Sequence, residues 1–290
     1  MSAIHVFDRQ QVLRQRSRAA TGLGKHDFLL REIGERLADR LSDVKRQFPL
    51  ALDLGCHCGD LGRLLAGRGG IQRLIASDLS PTMAASASPP SLAADEEALP
   101  FAAQCFDLVL SNLSLHWVND LPGCLLQIRQ VLKEDGLFLA TMLGGETLME
   151  LRRCLQDAEL QEEGGASPRV SPFADVRDAG ALLQRAGFAL PVVDVDTLTV
   201  TYPNPLKLLA DLRGMGETNA VAARRKTFTR RGTLLRALSL YEERYADETG
   251  RIPATFQILT LTGWRPHISQ QKPLAPGSGR VSLADALAAK

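Results

Sequence analysis

Hydrophobic positions along this chain switch repeatedly between a helical and an extended period. Phe28, Leu29, Ile33, Leu37 and Leu41 recur at the spacing of one helical face, which predicts an amphipathic helix ahead of Pro49. Short apolar runs then alternate with helical patterns: a strand over Leu50 to Leu54, a helix over Leu61 to Ala66, and a strand over Leu74 to Ser77 that ends at Asp78. A weakly marked third strand is expected near Leu92 and Ala93, a fourth over Asp107 to Ser111, and a fifth over Leu137 to Met142. Between the last two, Leu121 to Leu132 reads as a helix with Asp135-Gly136 as its stop signal. Strands that are apolar throughout and separated by helices describe a parallel sheet covered on both faces.

Beyond Gly144-Gly145 the pattern loosens. A helix is expected from Glu146 to Glu162, closed by Gly164-Gly165, and a second follows Ser171-Pro172 and stops at Gly187. Val192 to Val200 alternates as a strand exposed on one face, and Thr255 to Leu261 is the last strand. Leu206 to Leu212 and Leu234 to Tyr245 read as helices flanking a Gly- and Arg-rich stretch, Gly214 to Gly232. Arg9 to Arg18 is basic and polar and offers little apolar face. The stretch from Lys272, rich in Pro, Gly and Ser, reads as partly disordered.

Composition narrows the class without naming a function. Hydrophobic residues make up 45% and charged residues 23%, and the formal net charge is +1. Nothing global favours nucleic acid or an anionic membrane. Five cysteines, an odd count without a disulfide-framework spacing, fit a reducing compartment. The N-terminus shows no targeting segment and no apolar run is long enough to span a bilayer. The expectation is a cytoplasmic protein with no membrane insertion.

The chemistry concentrates after the first strand, at Asp53-Leu54-Gly55-Cys56-His57-Cys58-Gly59. Glycine there permits a tight turn and a close ligand approach. Asp53, at the strand's end, suits a ligand ammonium or an ordered water. Asp78, about two dozen residues on, stands where ribose hydroxyls are held. Asp95 and Glu96 suit an adenine amino group, and Asn112, ending the fourth strand, suits a contact to bound cofactor. With Gly55, Cys56, Gly59 and Leu79 these residues form a candidate site for S-adenosylmethionine, although NAD sites use the same acidic device. His57 falls where such loops often carry a middle glycine. Its ring either points away, touches the cofactor, or weakens binding.

Ala94-Asp95-Glu96-Glu97-Ala98-Leu99-Pro100-Phe101, Ser114-Leu115-His116-Trp117-Val118-Asn119-Asp120-Leu121-Pro122 and Asp135-Gly136 resemble two related families. One is the malonyl-acyl-carrier-protein O-methyltransferases of biotin synthesis. The other is the family of the mitochondrial complex I assembly factor described as a protein arginine hydroxylase, with its bacterial relatives. The second resemblance is closer and runs from Val6-Phe7-Asp8-Arg9 to Val281-Ser282. It is most specific at Gly144-Gly145-Glu146-Thr147-Leu148, Glu163-Gly164-Gly165, Ser171-Pro172-Phe173, Gly214-Met215-Gly216-Glu217-Thr218-Asn219 and Pro253-Ala254-Thr255-Phe256-Gln257-Ile258.

The resemblance implies an α/β, Rossmann-like class I methyltransferase fold. That means a mostly parallel seven-stranded sheet, helices on both faces and a helical C-terminal elaboration. It also implies S-adenosylmethionine as cofactor, a protein substrate, an iron–sulfur-bearing subunit of NADH-quinone oxidoreductase as partner, and a bacterial cytoplasmic setting. The expected organisation is an N-terminal helical segment (1–48), a cofactor-binding core (49–145), the rest of the sheet with lid helices (146–271) and a flexible tail (272–290). His57 departs from the family's Gly.

Three functions compete on this sequence: arginine hydroxylation, methyl transfer to a malonyl thioester or small molecule, and a non-catalytic assembly chaperone. A malonyl carboxylate would want a cationic clamp, for which Arg224, Arg225, Arg230 and Arg231 are candidates against a plain solvated face. Hydroxylation is commonly served by iron on two His and a carboxylate, and no His-x-Asp/Glu pair is present. His116, at the mouth of the expected pocket, is the candidate general base, and Trp117 either walls the cofactor or packs the loop. Tyr202-Pro203-Asn204-Pro205 and Gly214-Met215-Gly216 are expected to shape a substrate lid.

Overall fold

Apolar runs and helical faces resolve into one continuous sheet in the computed structural model, which describes residues 5–271 together with Ser278 and Ser282. Its elements in chain order are α1 (Arg9–Ala19), α2 (Phe28–Ser42), β1 (Ala51–Leu54), α3 (Asp60–Leu64), β2 (Leu74–Asp78), α4 (Pro81–Ser86), β3 (Ser91–Ala93), β4 (Phe106–Asn112), α5 (Leu121–Val131), β5 (Leu132–Leu143), α6 (Met149–Glu163), α7 (Val176–Arg185), β6 (Ala189–Tyr202), α8 (Pro205–Met215), α9 (Arg231–Tyr245) and β7 (Ile252–Trp264). The seven strands lie in the order β3-β2-β1-β4-β5-β7-β6. The first five are parallel, and β7 runs antiparallel to both β5 and β6. The expected tail, 272–290, lies outside the described residues apart from Ser278 and Ser282.

Side-chain alternation explains why both faces are apolar. Leu108 and Leu110 of β4 join Leu37, Leu41 and Leu61 of α2 and α3, whereas Val109 between them joins Leu125 and Ile128 of α5 on the opposite face. Each of these leucines is at most 2% exposed, and burying one stabilises the fold by about 1.5–3 kcal/mol. A third cluster gathers α6, α8 and α9 around Leu29, Leu143, Tyr241 and Phe256, over the C-terminal end of the sheet.

Three boundaries differ from the sequence expectation. The helix read as running to Leu132 ends at Val131, because Leu132 already pairs with Phe106 of β4. Asp135, at a φ of 59°, bends the start of β5 and does not stop a helix. The helix expected from Glu146 begins at Met149, after a turn in which Leu148 has a φ of 55°.

The basic stretch Arg9 to Arg18 is a helix with a buried face. Val12, Gln15, Arg16 and Ala19 of α1 are buried. The apolar pattern missed this face because an arginine lies at its centre.

Candidate functional site

Strand order reverses at β1, whose neighbours are β2 on one side and β4 on the other. In an open parallel sheet the crevice at such a reversal, beyond the strands' carboxyl ends, is where ligands bind. Every acid singled out in the sequence stands at that edge. Asp53 is in β1, Asp78 ends β2, Asp95 and Glu96 follow β3, and Asn112 ends β4.

The loop after β1 is fixed by backbone bonds. The N–H groups of Gly55 and Cys56 both donate to the Ser77 carbonyl at 2.8 Å. Gly55 has a φ of 74°, and a Cβ there would lie 2.0 Å from Ser114 Oγ. Gly55→Ala is therefore expected to cost about 3 kcal/mol or more, from the left-handed strain and the collision together; a melting temperature within a degree of wild type would contradict it.

Asp78 is wholly buried and already engaged. It accepts the backbone N–H of Ser80 at 2.7 Å and of His57 at 3.1 Å, and Arg16 Nη1 lies 3.3 Å away. Glu96, also fully buried, takes Arg16 Nη1 at 3.1 Å, Ser114 Oγ at 2.8 Å and Arg9 Nη2. Asp95 is half-exposed and pairs with Arg9 at 2.5 Å. Burial pushes the Glu96 carboxyl up, but the guanidinium groups of Arg16 and Arg9 outweigh it and hold it at about 2. Leu79 packs beside Phe7, Val12 and Trp117.

Asp53 is the opposite case. It is wholly buried and neither carboxylate oxygen has a hydrogen-bond partner. Burial, with Asp78 and Asp60 nearby, pushes it up to about 8. It lines a cleft with Gly59, Gly62 and the Ala87 to Pro90 turn.

Two expectations need correction. Asn112 does not offer its side chain to a ligand. Its amide nitrogen donates to the Leu30 carbonyl and its oxygen accepts from Thr141, tying α2 to the sheet. The arginine cluster is not a clamp in the pocket either. Arg224 pairs with Asp8, and Arg225 and Arg230 lie against Glu163. His57 turns inward and is 3% exposed. Its Nε2 is 3.1 Å from the Asn112 carbonyl, and its Nδ1 has no partner.

Beyond Trp117 lies a cavity of about 170 Å³, walled by Leu29, Leu143, Leu151, Phe173, Met215 and Phe256. Its charged residues are Arg169 and Glu217. Arg169 is held by Glu159 at 2.6 Å and Thr229 at 2.9 Å. Glu217 Oε2 accepts from Trp117 Nε1 at 2.9 Å and sits 3.0 Å from His116 Nε2. A much smaller pocket shares Leu29, Leu143, Met215 and Glu217 with this cavity and is also lined by His57 and His116. Glu217 thus stands where the cavity meets the loop after β1. Of the expected lid residues, Met215 lines the cavity, whereas Gly216, at a φ of 82°, caps α8 against Ala19 and Arg16 of α1.

A family model described as a methyltransferase domain matches residues 52–140. The mitochondrial arginine-hydroxylase NDUFAF5 of Danio rerio is 48% identical over 289 residues, covering 97% of this chain and 89% of that protein. The chain belongs to the NDUFAF5 arginine-hydroxylase family. This family lies within the methyltransferase superfamily, and the malonyl-[acyl-carrier protein] O-methyltransferase of Gallionella capsiferriformans is 34% identical over 90% of the chain and 92% of its own length.

Solved structures agree on the fold. YcgJ of Bacillus subtilis superposes with a TM-score of 0.56 at 14% identity, covering 80% of this chain and 98% of that one. Phosphoethanolamine N-methyltransferase 2 of Haemonchus contortus, in complex with S-adenosyl-L-methionine, gives 0.52 at 16% identity over 86% of this chain and 57% of that one.

For this arginine-hydroxylase relative, sequence reasoning passed over four residues that the fold brings to the site: Arg9, Arg16, Ser114 and Glu217. Arg9, Val12, Arg16 and Ala19 do follow helical spacing, so counting the arginines as part of a face would have exposed it. Ser114 and Glu217 are 103 positions apart and carry no local signal.

Proposed function

We propose that the chain is an S-adenosylmethionine-binding enzyme that hydroxylates a protein arginine during assembly of NADH-quinone oxidoreductase, acting in the cytoplasm on an iron–sulfur-bearing subunit of that complex. The observation that carries this reading is identity of 48% over 97% of the chain to a relative named as an arginine hydroxylase. The site supports the cofactor part. Asp53 is a buried carboxyl with both oxygens unpartnered, which suits an ammonium, since burial of an unpaired charge is otherwise unfavourable. Asp78 and Glu96 are at hand for ribose and adenine, and a nucleoside there exchanges its own donors for those of Arg16. S-adenosylmethionine, when bound, supplies a sulfonium-activated methyl group. The chain's own residues orient the substrate arginine and exclude water, with His116 at the meeting of cavity and crevice. Among the described residues no helix is long and apolar enough to cross a membrane.

The test is peptide mass spectrometry of the iron–sulfur-bearing subunits of that complex, from cells with and without the gene. Deletion is expected to remove one oxygen atom's mass from an arginine peptide; unchanged masses would sink the reading. Methyl transfer to a malonyl thioester is the second reading, favoured by Arg169 on the cavity wall. It predicts a methylated thioester when protein, S-adenosylmethionine and malonyl-acyl-carrier protein are mixed.

A further inference from the structure

We infer that Glu217 receives the substrate's guanidinium group and makes the 170 Å³ cavity selective for a long cationic side chain over a carboxylate. The inference rests on the proposed arginine chemistry and assigns its substrate subsite to named residues.

The cavity wall is almost wholly aliphatic and aromatic, from Leu29 and Leu143 to Phe173 and Phe256. Such a wall suits the methylene stem of arginine, whose apolar stem and charged tip separate along its length. A guanidinium tip must find an acceptor, because a buried cation without one is strongly disfavoured. Of the two charged residues on the wall, Arg169 is already neutralised by Glu159, 2.6 Å away. Glu217 is the remaining charge.

Its carboxylate is held in place and half available. Trp117 Nε1 and His116 Nε2 both address Oε2, while Oε1 has no partner among the described residues. Burial pushes the Glu217 carboxyl up, but His116, Arg16 and His57 outweigh it, so it stays below the usual range and ionised at neutral pH. A planar guanidinium matches a carboxylate edge through parallel N–H donors. The Trp117 ring, fixed by its own bond to Glu217, adds an aromatic face of the kind that attracts cations. A malonyl carboxylate in the same place meets a like charge with the nearest cation already paired, and is repelled. His116 is on this reading a positioning residue for Glu217. Its Nδ1 is buried and unpartnered.

The indole N–H of Trp117 donates directly to Glu217, so its proton resonance reports events at this carboxylate. In full-length protein carrying Trp264→Phe, Trp117 is the sole indole, since the chain holds two tryptophans. Titration with Nα-acetyl-L-arginine amide is expected to shift that resonance saturably, and malonyl-pantetheine to leave it in place. Glu217→Gln is expected to weaken the arginine titration at least tenfold, with Glu217→Asp recovering part of it. A saturable shift with malonyl-pantetheine and none with the arginine probe overturns the inference. So does an arginine titration unchanged by Glu217→Gln. The probe contrast needs no variant, so a poorly folding Glu217→Gln does not protect the claim. Neither cofactor nor oxidant is needed, so a missing mass change on the substrate protein beside an intact titration would indict the reaction and not the subsite.

Discussion

Arg16→Met is expected to destabilise the protein by about 3 kcal/mol, the usual consequence of removing one partner from a buried ion pair. Arg16 is 1% exposed and its guanidinium serves Asp78, Glu96 and Ser114 together. The carboxylates also push its own pKa up against burial. Methionine keeps the length and leaves Asp78 with backbone donors alone, and Glu96 with Arg9 and Ser114. Glu96→Gln in the same chain is expected to recover part of the loss, because it deletes one of the stranded charges. The pH dependence has a definite sign. Glu96 is held at about 2 in the fold against an ordinary 4.5. Its contribution is therefore present above pH 4.5 and is lost as pH falls towards 2. Wild type should lose stability across that interval more steeply than Arg16→Met. Denaturant melts at several pH values decide it, and equal acid slopes would refute the role given to Arg16.

Asp53→Asn has the reverse sign. Asp53 titrates at about 8 in the fold against an ordinary 3.8. Between those values the unfolded chain releases a proton that the folded chain keeps, so wild-type stability falls as pH rises from about 4 to about 8. Asparagine keeps the shape and removes the charge. The variant is expected to flatten that slope and to gain about 3 kcal/mol over wild type at pH 8. It is also expected to lose at least tenfold in S-adenosylmethionine affinity by calorimetry, since the ammonium's counter-charge is gone. An unchanged slope would mean the carboxyl is not isolated as its geometry shows. Unchanged calorimetry with a flattened slope would move the ammonium subsite away from Asp53.

These opposed signs come from neighbouring acids, which shows how far sequence reading reaches. Asp53 and Asp78 are both acids at the carboxyl ends of parallel strands, and the alternation of strand and helix was enough to place them there. Whether each acid has a counter-charge was not legible, because Arg16 arrives on a helix 37 positions before Asp53 in the chain. Asn112 shows the same limit from the other side. Its position at the end of β4 was legible, but its amide is consumed by Leu30 and Thr141. The four arginines between 224 and 231 looked like a clamp in one dimension, yet acids on other elements engage Arg224, Arg225 and Arg230.

The chain by itself determined the sheet, the order of its parallel strands' acids and the family. Periodicity and glycine turns act over a few residues and are written where they act. The tertiary structure decided the closure of the crevice by Arg9 and Arg16, the isolation of Asp53, and the pairing of His116 and Trp117 with Glu217. Those are sums of charge and burial over groups a hundred residues apart, and a carboxylate's character in a low-dielectric interior is set by what surrounds it in space.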